Sequence, residues 1–186
     1  MRFSLPWPGK LETAILIFLA LWFALTIIVP FTLPADSVKD LSGAVGRIDN
    51  DDTTSRMNPL ARAIYTIGDA YCHQISERSY YLNGNQMPFC SRDEGIFLGL
   101  VIGTTLAIIT RYEIKVIYFI LGIVPIGVDG LAQLLTDYES TNPIRLITGM
   151  LAGVVVALLV SMFIREIKHG QESSEIKNTD IERKGS

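Results

Sequence analysis

Both cysteines of the chain and one of its two histidines fall within residues 70–95, AYCHQISERSYYLNGNQMPFCSRDEG. Thiolate, imidazole and carboxylate are side chains that bind zinc, so Cys72, His73, Cys90 and Asp93 make a candidate metal set. The same two cysteines, exposed to an oxidising exterior, would instead close a disulfide loop of about nineteen residues, worth on the order of 3 kcal/mol by chain entropy. The residue types leave both arrangements open. Without a C-x-x-C pair the thiols make a poor redox relay, and neighbouring Cys72 and His73 reach one ion only if the chain bends away from helix between them.

A second polar group follows in segments that are otherwise apolar. Asp129 and Gln133 are one helical turn apart, Glu139 and Asn142 lie just beyond them, and Arg145 comes three residues later. Asp129, Glu139 and Arg145 form a candidate catalytic set, with a carboxylate as general base and the arginine as anion holder. Arg78, Arg92, Gln133 and Asn142 would complete the binding of a phosphate or carboxylate head group. A carboxylate and an arginine inside hydrocarbon are costly unless paired or wet, and the short connection between their segments predicts that Asp129 pairs with Arg145. Such a pair also has a purely structural use, as glue between helices.

The elements that must position these residues are membrane spans. The chain is 49% hydrophobic, and residues 11–33 run for about the twenty residues needed to cross hydrocarbon, with the single charge Glu12 at the edge. Residues 95–110, 116–135 and 143–164 follow as further spans, so the predicted fold is all-α: a four-transmembrane-helix bundle with an extracytoplasmic loop, residues 34–94. The first run exceeds the apolar core of a cleaved signal and is expected to be retained. Arg2, Lys10, Arg111, Lys115, Arg165 and Lys168 flank the spans on one side, which the positive-inside rule makes cytoplasmic. Residues 1–10 and 165–186 then become a cytoplasmic N-terminus and a polar cytoplasmic tail, disordered or weakly helical, with His169 a solvated residue in it. The location is the cell membrane, multi-pass.

Within the loop, Asn58 followed by Pro59 marks a helix start, and Leu60, Ile64, Ile67 and Tyr71 recur at helical spacing. This short amphipathic helix ends where Cys72 and His73 begin. Asp49, Asp51 and Asp52 lack the glycine and distal glutamate of an EF-hand and read as an ordinary loop. Gly95, Gly99 and Gly103 repeat every fourth residue, as do Gly149 and Gly153, which marks faces for close helix packing within the chain or in a homo-oligomer. Pro125 and Gly127 are positions where the third span could break, as in a transporter. Nineteen acidic against sixteen basic residues give no basic stripe for nucleic acid.

The motifs Cys72-His73-Gln74, Glu77-Arg78-Ser79 and Cys90-Ser91-Arg92-Asp93-Glu94-Gly95, with Asp129-Gly130 and Arg145 downstream, resemble an uncharacterised family of small archaeal and bacterial membrane proteins. That family is a domain of unknown function with the signature CHQ, then ERS, then C-x-R-C-x-G, and the resemblance spans about residues 65–155. It implies a shared fold and site but no established activity. Asp93 stands where the family usually carries another cysteine; three cysteines and a histidine in the signature favour a metal, because a disulfide would leave one thiol over. The reading that joins both polar groups is a metal-dependent hydrolase or transferase, zinc being the expected metal, acting on lipid head groups at the outer face of the bilayer. The alternative is a non-catalytic membrane protein, with a structural metal or disulfide, serving as partner subunit or small transporter.

Overall fold

The computed structural model describes residues 9–41, 43–110 and 114–185, with backbone only for residues 168, 169 and 171–185. Arg2 and Arg111, used above for orientation, and the side chains of Lys168 and His169 lie outside the described parts. Among the described residues four helices are long and apolar enough to cross a membrane. Helix α1 spans Lys10–Ile28 and continues as a 3-10 turn over Val29–Thr32. The short α2 (Asp51–Thr54) and the amphipathic α3 (Pro59–Tyr71) occupy the loop, and α4 (Ser91–Thr110), α5 (Val116–Leu135) and α6 (Asn142–Gly185) follow. The chain is an all-α helical bundle to which the loop adds one small hairpin, Tyr81–Leu82 paired with Asn85–Gln86. Its turn is Asn83-Gly84, both at positive φ, the pairing a two-residue hairpin turn demands.

Helix α4 packs along α6 and on α1, while α5 packs along α6. The α4–α6 contact is so close that backbones touch. A Cβ at Gly95 or Gly99 would sit 2.2 Å from the carbonyl oxygen of Leu146 or Met150, and one at Gly153 would lie 2.3 Å from that of Ile96. The faces carrying Gly95, Gly99 and Gly103 on α4 and Gly149 and Gly153 on α6 are therefore used for packing within one chain. In α5 only Gly122 and Asp129 are buried, as expected of a helix that shows most of its surface to lipid.

Three expectations change. The second span begins at Ser91, not residue 95, because Arg92, Asp93 and Glu94 form its first turn, where acidic side chains favour the helix dipole. Helix α5 runs unbroken through Pro125; proline removes one hydrogen bond, which neighbouring turns absorb, so the backbone exposure a transporter site needs is not created there. The tail continues as helix to Gly185, since it has no proline and is rich in Glu, Lys and Arg, all good helix formers.

The loop is an ordered cap. Val29, Leu33, Val38, Leu41, Ile64, Tyr65 and Phe89 share one apolar core, and Phe89 joins Trp22 and Phe97 in an edge-to-face trio that ties the cap to α1 and α4. Helix α3 starts as its sequence predicts, with Asn58 Oδ1 accepting from Ala61 N at 3.0 Å. Its inner face, however, is Ala61, Ile64, Tyr65 and Gly68, while Leu60, Ile67 and Tyr71 stay exposed. Gly68 decides this rotation: a Cβ there would stand 2.1 Å from Pro88 O, so only this face can approach the strand end.

Candidate functional site

Where α3 ends, Cys72 takes an extended conformation (φ −131°, ψ 149°). Adjacent side chains on extended backbone point opposite ways. Cys72 consequently turns inward, 4% exposed, and His73 turns out and is exposed. Gln74 then adopts positive φ (46°), fully buried, and its amide donates to Pro88 O at 2.8 Å. Gln86 Nε2 in turn donates to Gln74 O at 2.6 Å, and Tyr65 Oη donates to Gln86 O at 2.6 Å. These three residues, which sequence reasoning did not single out as positioning groups, brace the segment that carries Cys72 against the one that carries Cys90. The signal available for Gln74 was its place in the CHQ motif; Gln86 and Tyr65 offered none.

The bracing brings Cys72, Cys90 and Asp93 together, with one ligand atom from each within 4.8 Å of the others. Both cysteines are free thiols. Cys90 N donates to Cys72 Sγ at 3.3 Å, and the Cys90 thiol donates to Asp93 Oδ2 at 3.1 Å. Cys72 is pushed far up from the ordinary thiol range by its hydrogen bond to Cys90 and by burial, whereas Cys90 is held below that range because Cys72 donates to its sulfur. Cys90 is thus the sulfur that ionises first. Two sulfurs and a carboxylate so placed could hold a metal ion, and zinc accepts ligands of both kinds. His73 does not join them, contrary to the sequence expectation, because the extended backbone aims it elsewhere, though it does line the same cavity.

That cavity, about 320 Å³, is lined by Cys72, Cys90 and Asp93 together with Arg78, Arg92, Gln133 and Arg145. The two polar groups of the sequence therefore meet in one space. Asp129 pairs with Arg92 rather than with Arg145. Gln133 bridges instead, donating to Asp129 Oδ2 at 3.1 Å and accepting from Arg145 Nη2 at 2.8 Å. The reason is the early start of α4, which lifts Arg92 out of the loop and points it at α5. Arg145 is only 3% exposed and makes no ion pair among the described residues. Glu139 lies outside the cluster, 69% exposed at its side chain, and pairs with Arg78 at 2.9 Å. That hydrogen bond holds the Glu139 carboxyl below the usual range. Asn142 Nδ2 donates to Ser79 O at 3.2 Å, clipping α6 to the loop.

Orphaned polar atoms surround this network. Asp129 Oδ1, Arg92 Nε, Ser140 Oγ and Asn142 Oδ1 are buried without hydrogen-bond partners. Glu94, named in the motif without a role of its own, is 3% exposed one turn below Cys90, with one oxygen accepting from Thr26 Oγ1 at 2.9 Å and the other unpartnered among the described residues. Buried polar groups normally find partners, so each of these atoms calls for a water or a ligand.

Comparison with known proteins locates the same segment. A family model described as "Predicted membrane protein (DUF2085)" matches residues 72–159, from the first cysteine to the middle of α6. An uncharacterized protein of Methanocaldococcus jannaschii is 30% identical over 114 residues, 59% of this chain and 73% of that protein. Another uncharacterized protein, of Methanothermobacter thermautotrophicus, is 34% identical over 101 residues, 53% of this chain and 91% of that protein. No solved structure matches the chain.

Proposed function

The chain belongs to this family of predicted membrane proteins, DUF2085, and we propose that it acts on a phosphate-bearing lipid head group in the cavity between cap and bundle, with the help of a bound zinc ion. The observation that carries the proposal is the lining of one cavity by Cys72, Cys90 and Asp93 together with three arginines, one of them without an acidic partner among the described residues. Soft ligands call for a metal, and an unpaired buried guanidinium calls for an anion.

Cys72, Cys90 and Asp93 would hold the metal, which supplies Lewis-acid polarisation and a nucleophilic water near neutral pH. Arg145 takes one face of the phosphate by bidentate hydrogen bonds, its orientation set by Gln133. Asp129, braced by Arg92 and Gln133, holds both cationic groups in place and is the carboxylate available as general base. Glu139, exposed and paired with Arg78, serves at the rim rather than at the reacting centre. Gln133 and Arg145 lie at the loop-side ends of their spans, which is head-group depth. Hydrolysis or transfer of the head group is the reaction class this set of residues suits.

Metal analysis of the full chain purified without chelator tests the reading. About one zinc per chain is expected, with loss in both Cys90→Ser and Asp93→Ala, and with binding of short-chain phosphatidic acid lost in Arg145→Met while zinc stays. A metal-free protein whose two thiols are absent by titration would replace the metal with a disulfide. Zinc present but phosphatidic acid bound equally by Arg145→Met would leave a structural metal, the non-catalytic alternative.

A further inference from the structure

The half of the bundle away from the cap holds a second, partly open cavity, about 180 Å³, between α1, α4 and α6. Glu12 lines it from the first turn of α1 and is 7% exposed. One of its carboxylate oxygens accepts from Gly9 N at 3.3 Å, and the other, Oε1, is buried with no hydrogen-bond partner among the described residues. The other polar lining groups are the hydroxyls of Thr104 and Ser161, 3% and 4% exposed. Leu19, Leu100 and Val160 are among the aliphatic side chains that form the rest of the wall. None of these residues takes part in the outer cavity.

An unpartnered carboxylate in a membrane span is expensive, and its presence beside this cavity points to a ligand that supplies positive charge or donors. The wall decides which. A dehydrated alkali or divalent cation asks for about six oxygen ligands, and one carboxylate with two hydroxyls does not supply them while most of the wall stays aliphatic. A cavity of roughly 150 Å³ lined by aliphatic side chains accepts a molecule the size of benzene, so this one holds a body of about seven heavy atoms. We infer that the inner cavity binds a small hydrophobic primary ammonium: the charge meets Glu12, its N–H groups reach the Thr104 and Ser161 hydroxyls, and its apolar body lies on Leu19, Leu100 and Val160.

Benzylammonium is a suitable probe, titrated by calorimetry into the full chain in phosphatidylcholine nanodiscs, with empty nanodiscs giving the partition background. Saturable one-to-one binding above that background is expected. It weakens at least tenfold in Glu12→Gln, and benzyl alcohol, which keeps the ring but not the charge, binds the unaltered chain at least tenfold more weakly. Leu19→Phe fills the wall while keeping the carboxylate, so it also removes binding and serves if Glu12→Gln does not fold. Benzyl alcohol binding as tightly as benzylammonium, unchanged affinity in the folded variants, or no signal above empty nanodiscs would each overturn the inference. Displacement by sodium but not by choline at equal ionic strength would overturn it too, in favour of an inorganic cation.

Discussion

Asp129 carries more of the outer site than its position in an apolar helix suggests, because Arg92 and Gln133 both donate to it and Arg145 is held through Gln133. Asp129→Asn leaves the partly buried Arg92 charge without a counter-ion, a change that costs about 3–5 kcal/mol when a buried pair loses one member. Chemical denaturation of the purified chain should show that loss, and the double variant Asp129→Asn with Arg92→Met should recover most of it; a double variant no more stable than the single one would mean the pair is not the cause. The thiols give a second test at this scale. Cys72 donates to Cys90, so the proton leaves Cys90 first and its thiolate persists at pH values below the ordinary thiol range, while Cys72 stays protonated above it. In chelator-treated protein near pH 7.5, iodoacetamide is expected to label Cys90 and spare Cys72, by peptide mass analysis; Cys72→Ala removes the donor and slows labelling of Cys90. Preferential labelling of Cys72 would reverse that assignment.

The four spans were legible in the sequence because each is a long apolar run, and α3 was legible because Asn58 and Pro59 mark its start. What could not be read was where charge enters a helix. Hydropathy cuts the second span off at Gly95, so Arg92 counted as a loop residue and Asp129 was assigned the one arginine visible in a neighbouring span. The rotation of α3 was hidden for a related reason: periodicity finds an apolar stripe, but Gly68 against Pro88 O chooses the face. The glycine repeats were readable as packing faces, though not as to which partner they meet. That partner is α6, and the contact is tight enough to test. Gly99→Ala puts a methyl carbon 2.2 Å from Met150 O, and since helix backbones must separate to admit it, a loss of about 1–3 kcal/mol is expected from overpacking. Gly127→Ala is the control, because nothing lies within 4 Å of a Cβ there. Equal unfolding midpoints for the two variants would show that α4 and α6 are not in this contact.

At the scale of the molecule, the outer cavity needs the cap to lie away from the cytosol. Lys10, Lys115 and Arg165, all at the ends of spans opposite the cap, argue for that orientation under the positive-inside rule. The long loop votes weakly against it with Arg47, Arg56, Arg62 and Arg78, since loops of this length translocate largely regardless of charge. Reporter fusions separate the two orientations. A fluorescent protein joined after Ser186 should be bright and a phosphatase there inactive, whereas a phosphatase inserted between the exposed residues Lys39 and Asp40 should be active. The inverse pattern would put Cys72 and Cys90 in a reducing compartment, where a disulfide does not persist and thiolates remain free for metal. It would also move Arg145 to the inner leaflet, so that the same cavity would face cytosolic phosphates and the inner cavity with Glu12 would face outward.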